Sequence, residues 1–262
     1  MAHLARILIF PVKSLEPVAV QSATMTRSGA LKGDRTIGFF DDRGKFVNGK
    51  KQPRVHLLRS SYDALTRTLH LRSVDGQQSG SFQLDENRAS LQDWLTEFFG
   101  VTVGVRENAV AGFPDDTDAP GPTLISTGTL KEVASWFPPV TVASIRQRFR
   151  TNLELDGVPA FWEDRLYGAA GTVCRFQIGD VTLEGTNPCQ RCAVPPRDPA
   201  TGEGYPEFAR TFARMREQTL PPWAERSRFN HFYRLAINTK VPPDQAGKMI
   251  HVGDEVRLLD AR

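Results

Sequence analysis

The sequence predicts a mainly β protein with a few helices, an α+β chain built as a barrel or sandwich rather than from alternating β-α-β units. Two observations carry this. Through the first eighty residues, short apolar or alternating runs recur between turn sequences rich in glycine and aspartate, the rhythm of an antiparallel all-β architecture. Helical periodicity is confined to a few stretches, of which Arg88–Phe99 is the clearest. At 262 residues, with 40% hydrophobic and 24% charged side chains, the chain has an ordinary globular composition. Its length permits two closely associated domains, which we divide at 1–107 and 108–262.

Leu4–Phe10 is short, apolar and rich in branched residues, and Pro11 ends it, so it reads as a buried strand delivering Val12-Lys13-Ser14-Leu15 to a loop. There an ammonium stands beside a hydroxyl, a pairing suited to phosphate, although an exposed lysine is the plain alternative. Val18–Thr26 alternates as a half-buried strand should. The glycine turn Ser28–Arg35 leads into a strand at Thr36–Phe40. Arg35 leaves that turn where a guanidinium can clamp an anion bidentately, or else pair with Asp34 or Asp42. Asp41-Asp42-Arg43-Gly44 is a turn before Phe46-Val47, and Val55–Ser60 and Thr68–Val74 read as further strands. In Arg88–Phe99, residues Leu91, Trp94, Leu95, Phe98 and Phe99 fall on one helical face, which we take as core.

Asn108–Pro122 is a polar loop with three acidic residues, two glycines and three prolines, a domain joint or lid. Thr123–Gly128 then leads into Thr129-Leu130-Lys131-Glu132, a capping-box spacing, and a helix with Leu130, Val133, Ala134 and Phe137 inward. Arg146, Arg148 and Arg150 alternate, so in an extended chain they share a face with Asn152 and invite an anion or solvent. Gly179-Asp180 between Val173–Ile178 and Val181–Leu183 is a tight hairpin signal. A helix opens at Pro206 with Phe208, Phe212 and Met215 inward and breaks at Leu220-Pro221-Pro222-Trp223. Phe232–Thr239 and Glu255–Leu259 make closing strands, and Val252-Gly253-Asp254 repeats the Gly-Asp turn.

The chemistry concentrates in Asn187–Gly202, where Cys189-Gln190-Arg191-Cys192 runs into a proline-rich loop ending Asp198-Pro199-Ala200-Thr201-Gly202. Structural zinc needs four N or S ligands, whereas Cys174 is distant and the five histidines are scattered. A dithiol redox pair normally opens a helix, and prolines follow this one. A thiolate on a soft transition metal, with Arg191 supplying positive charge, is the third reading, and two packed cysteines the fourth. The net charge of +3 and pI near 8.8 come from interleaved charges, a hint of an anionic ligand with no requirement for nucleic acid. No apolar run approaches a membrane span, and MAHLARILIFPVKSL reads as a strand rather than a signal peptide. An odd number of cysteines makes no disulfide framework, so a cytoplasmic protein is expected.

Phe10-Pro11-Val12-Lys13-Ser14, Gly33-Asp34-Arg35, Phe149-Arg150-Thr151-Asn152 and Cys189-Gln190-Arg191-Cys192 followed by Asp198-Pro199-Ala200-Thr201-Gly202 together resemble the MOSC proteins. The likeness is to the branch with an N-terminal β-barrel domain, which includes the mitochondrial amidoxime-reducing component and the C-terminal region of molybdenum cofactor sulfurase. The resemblance implies a MOSC-type β-barrel with an associated N-terminal β-barrel domain, and as ligand the molybdenum cofactor, a molybdopterin with a terminal phosphate. It implies Cys192 as the catalytic metal ligand. By the same likeness Lys13, Ser14 and Arg35 grip the cofactor from one domain, Ser126, Arg150 and Asn152 from the other, and Gln190 and Arg191 lie against the pterin. The implied activity is reduction of small N-oxygenated substrates such as amidoximes or hydroxylamines, with a non-catalytic cofactor carrier or sulfur-transfer module as the alternative; the family description also brings pyridoxal phosphate binding. Three cysteines leave none for an iron–sulfur extension, so electrons would come from a separate flavin or iron–sulfur reductase. The loop Ala193-Val194-Pro195-Pro196-Arg197 is stiffer and more basic than in the amidoxime reducers.

Overall fold

Fifteen strands and four α-helices are found in residues 1–259, the part of the chain that the computed structural model describes. The first strands are β1 (His3–Ile9), β2 (Val18–Val20), β3 (Ser22–Thr24) and β4 (Ile37–Phe40). A 3-10 turn at Pro53–Leu57 precedes β5 (Leu58–Asp63), β6 (Thr68–Ser73) and β7 (Ser79–Gln83). Then come α1 (Arg88–Phe99), β8 (Gly104–Glu107), β9 (Leu124–Ser126), α2 (Thr127–Ser135), α3 (Val142–Phe149) and β10 (Leu153–Asp156). The chain continues through β11 (Cys174–Ile178), β12 (Val181–Gln190), α4 (Phe208–Gln218), β13 (Arg234–Lys240), β14 (Met249–His251) and β15 (Val256–Leu258).

Eight strands form the main sheet in the order β15-β11-β12-β13-β9-β10-β1-β2. Its pairings are antiparallel except β9 with β10. The sheet also meets itself: Leu4 N–H donates to Asp254 O, Gly253 N–H to Leu4 O and Val256 N–H to Ala2 O, so β1 touches the residues leading into β15. Curling of this kind buries one face of each strand. The resulting core runs through Leu4, Ile7, Leu124, Leu155, Phe176 and Ile237, none of them measurably exposed. A second core, under β4 to β8 and α1, is built on Phe39, Leu69, Leu91 and Leu95. A third joins α2, α3 and α4 through Leu130, Phe137, Ile145, Phe208 and Phe212. Because β1 and residues Ala23, Met25 and Leu31 pack into the first core, the two halves of the sequence share one interior.

Several elements differ from the sequence reading for identifiable reasons. Val18–Thr26 is two short strands in different sheets, β2 on β1 and β3 on β14. The alternating arginines 146–150 belong to a helix and its end, not to extended chain. Thr141 Oγ1 caps α3 by accepting from Ser144 N–H, Ile145 and Phe149 bury an i, i+4 pair, and Arg150 ends the helix in the left-handed region at φ 52°. The apolar period outweighs the charge period because burial stabilises more than exposed charge spacing. At α2 the cap lies three residues earlier than expected, with Ser126 Oγ accepting from Thr129 N–H. β12 runs on through Pro188 and Cys189 instead of ending at Leu183, since bulges at Gly185–Asn187 and Pro188–Gln190 absorb the proline. Gly185 is required there, because a Cβ would lie 1.6 Å from Leu166 O. The Gly253-Asp254 turn does not make a hairpin, as β14 pairs with β3 and β15 with β11.

Candidate functional site: a cationic cavity bearing two thiols

One cavity of about 1030 Å³ opens where the β4–β8 region, α3 and the end of β12 converge. Lys13, Ser14, Arg35, Arg150, Asn152, Gln190, Arg191 and Cys192 all line it, as does Cys189. These residues span nearly two hundred positions of sequence, and the fold brings them together. Ser126 is the exception. It is fully buried, spends its hydroxyl on Thr129 at the start of α2, and does not line the cavity. Its expected place in the ligand set is therefore corrected to a helix cap.

Each wall follows from local structure. β1 ends at Pro11 and the backbone turns, held by Arg35 N–H donating to Phe10 O and Lys13 N–H to Ile37 O. This turn lays Lys13 and Ser14 on the cavity wall. Ser14 takes φ 76°, a costly value for a residue with a Cβ, and its hydroxyl makes no hydrogen bond among the described residues. Lys13 Nζ, nearly buried, donates to Phe113 O and to Asp115 Oδ1, each at 2.8 Å. Burial pushes the Lys13 ammonium down from its ordinary range, with Asp115 opposing. Arg35 pairs with Asp34, donates to Asn152 Oδ1 at 3.2 Å and approaches Asp115 Oδ2 at 3.9 Å.

Arg35 and Arg150 both lie over the Phe10 ring, at 4.9 and 4.4 Å from its centroid. Burial, together with Arg35, pushes Arg150 down to about 10, and its Nη2 donates to Leu15 O at 2.6 Å. Asn152 is the knot of this corner: its Nδ2 donates to Leu8 O and Asp34 Oδ1, while its Oδ1 accepts from Arg35 and Thr123. Arg191 donates to Leu235 O and Phe149 O but leaves Nη2 buried without a partner, and Arg234 Nε is likewise unpaired. Buried donors are ordinarily satisfied, so a ligand bringing acceptors is the natural complement of this wall.

Sequence reasoning missed several lining residues. Asp115 and Asp116 lie in the 108–122 segment, expected as a domain joint or lid, which lines the cavity. Gly112, at φ 63°, lets that segment press on the carbonyls of Asp34 and Arg35, where a Cβ would meet Asp34 O at 2.8 Å. Burial alone would raise the Asp115 carboxyl, but Lys13 and Arg35 outweigh it and hold the group well below the usual carboxylate range. Arg59 and Arg197 reach the same space from β5 and from the loop after Cys192. No local signal marks them, because only the docking of that loop brings them here: Arg59 donates to Ala200 O, and Arg148 to Pro195 O, Arg197 O and Asp198.

Ten basic and four acidic side chains line the cavity, an excess well above the net +3 of the whole chain. A low-dielectric cleft of one sign concentrates ligands of the other. No disulfide joins the three cysteines; Cys174 is buried in β11 and the other two are half-buried. Among the described residues no group of three or more His, Cys, Asp or Glu gathers to hold a metal, so a four-ligand zinc site has no ligand set. No helix among them is long and apolar enough to cross a membrane.

The fold and cavity define a mainly β protein whose two halves share a core and which presents thiols to a cleft lined mostly by cationic side chains. Residues 1–114 match the MOSC N-terminal beta barrel domain and residues 123–257 the MOSC domain. The chain belongs to the MOSC family. It is similar to a molybdenum cofactor sulfurase of Caenorhabditis elegans, 24% identical in an alignment of 221 residues that covers 76% of this chain and 29% of that protein. The chain thus spans under a third of that relative's length. A solved structure described as a hypothetical protein aligns over 100% of this chain and 69% of its own at 11% identity and a TM-score of 0.39, too distant to argue from.

Proposed function

We propose that this protein binds a molybdenum cofactor, a molybdopterin carrying molybdenum, in the cationic cavity and reduces small N-oxygenated compounds with electrons from a separate flavin or iron–sulfur protein. The observation that carries the reading is that Cys192 opens into the same cavity as Lys13, Arg35 and Arg150. A soft thiolate suits a thiophilic metal, and convergent cations suit an anionic cofactor. The sulfurase similarity points to the same cofactor. When bound, the cofactor supplies a redox metal able to take oxygen from an N–O bond and to be reset by electrons.

The chain's own residues would do the rest. Cys192 would give up its thiol proton and hold the metal, Lys13, Ser14 and Arg35 would take the phosphate, and Arg150 and Asn152 would fix the wall between them. Gln190 and Arg191 flank the thiol, with the unpaired Arg191 Nη2 ready to donate. Pyridoxal phosphate would need a free lysine amine; the buried Lys13 is held by Asp115 and Phe113 O, which leaves Lys50, also on the cavity wall, for that role. Three cysteines outside any disulfide accord with a reducing, cytoplasmic setting.

Elemental analysis of protein from a molybdate-fed, cofactor-competent host is the test, followed by turnover of a hydroxylamine with a chemical electron donor. Wild type is expected to carry stoichiometric molybdenum and consume the substrate, and Cys192→Ala to lose both. Full turnover by Cys192→Ala would remove the assignment. The presence of Cys189 in the same cavity favours one rival, a cofactor carrier or sulfur-transfer module. That rival predicts bound cofactor with no substrate consumed.

A further inference from the structure

Five of the ten basic side chains on the cavity wall stand within 4 Å of a carboxylate of the chain itself, Lys13 with Asp115 and Arg35 with Asp34 among them. The other five have no such partner among the described residues. Three of these, Arg150, Arg191 and Arg234, spend N–H groups on main-chain carbonyls at 2.6 to 3.2 Å. Lys50 is exposed, and its charge acts on the Lys13–Asp115 corner. Arg197 is the least engaged guanidinium: its side chain makes one long contact, Nη1 to Gly202 O at 3.4 Å.

The backbone that carries Arg197 is, by contrast, held at several points. Arg197 N–H donates to Val194 O at 2.9 Å, and the residue bridges to Gly204. Its carbonyl accepts from Arg148 Nη1 at 2.7 Å, and Ala200 O accepts from Arg59 Nη2 at 2.6 Å. Gly202, at φ 76°, packs so closely on the first half of the chain that a Cβ there would lie 3.1 Å from that of His56. Burial holds the His56 ring below its ordinary range and the Arg197 charge adds to this, so the guanidinium is felt inside the cavity. A cation on a fixed backbone, with no counter-charge of its own, is preorganised for a ligand that brings one.

We propose that Arg197 is a substrate-binding residue and that the N-oxygenated compound taken by this cavity is a monoanion, carrying a carboxylate besides its N–O group. The inference rests on the reductase reading above and names the substrate class of that same site. A guanidinium meets a carboxylate with two parallel N–H donors, and one uncompensated cation balances one negative charge. The chain also limits the size of the compound. Cys192 and Arg197 are five residues apart, about 17 Å at full extension, and the turn from Val194 to Arg197 shortens this. A single ring with the two groups at opposite ends fits such a span once the arginine side chain reaches inward.

The experiment uses two amidoximes that differ by one charge, benzamidoxime and 4-carboxybenzamidoxime, at pH 7.5. In calorimetric titration of the cofactor-free full chain, wild type is expected to bind the carboxylate compound about tenfold tighter or more. Arg197→Gln is expected to lose most of that preference and Arg197→Lys to keep part of it. Lys13→Ala is expected to retain it, because Asp115 already meets the Lys13 charge. No tighter binding of the carboxylate compound by wild type, a preference that survives Arg197→Gln, or one abolished by Lys13→Ala overturns the inference and leaves the reductase reading standing. In the molybdenum-loaded protein, the ratio of kcat/KM for the two compounds is expected to fall in Arg197→Gln through KM; an unchanged ratio overturns the inference. If loaded wild type reduces neither compound while the calorimetric preference still collapses in Arg197→Gln, the anion subsite stands and the reductase reading falls.

Discussion

Glu163 and Asp164 lie side by side in a buried 3-10 turn, Trp162–Leu166, with the guanidinium of Arg216 paired to Asp164 and held over the Phe161 ring at 4.2 Å. Arg216 is spent on Asp164, so the neighbouring buried Glu163 carboxyl has no cation of its own and does better neutral. Burial, reinforced by the Asp164 charge, pushes the Glu163 carboxyl up to about 7. Its folded value lies above the unfolded one, so its contribution to stability is complete below about pH 4.5 and is lost as pH rises through about 7. The loss is on the order of 3 kcal/mol. Glu163→Gln is expected to match wild type near pH 4 and to exceed it at pH 8. Urea unfolding at both values checks this, and parallel pH profiles for the two proteins would exclude it.

The element that governs the cavity rim is α3 with the loop it supports. Arg148, 4% exposed, donates from Nη1 to Pro195 O and Arg197 O and from Nη2 to Asp198. Asp198 Oδ1 in turn accepts from the backbone of Ala200 and Thr201. Arg148→Ala is expected to cost about 2–3 kcal/mol, since hydrogen bonds to charged groups are lost and carbonyls are left unmet. It should also speed proteolytic cleavage within residues 195–202, read by mass spectrometry under native conditions. Arg148→Lys should not restore protection, as an ammonium lacks the fork that reaches three acceptors. The capping and i, i+4 burial that make α3 were present in the sequence. Reading the arginine alternation first hid them, because charge spacing on a surface is a weaker constraint than apolar spacing toward a core.

Across the whole molecule, the 107/108 cut marks a change in sequence more than a separation in space. β1 sits between β10 and β2 in the main sheet, and Leu4, Ile7 and Ile9 fill its core. We expect residues 108–262 expressed alone to lack a cooperative thermal transition. Ile7→Ala in the full chain is expected to cost 2–5 kcal/mol by calorimetry, the usual range for emptying a large aliphatic site. A sharp transition for the isolated piece would show that the second half folds without the first strand.

The sequence by itself determined the strand-rich class, α1 to the residue, the Gly179-Asp180 hairpin, and a short roster of cations and thiols, because those depend on local periodicity and turn chemistry. Tertiary structure decided which of them meet. Asn152, read as a ligand, lines the cavity and is at the same time a hub for β1 and the 34–35 turn, and Ser126 is a helix cap. Asp115, a member of an undistinguished polar loop, closes on Lys13 and Arg35. Such meetings depend on strand register and loop docking between segments a hundred residues apart, and no window of neighbouring residues carries that information.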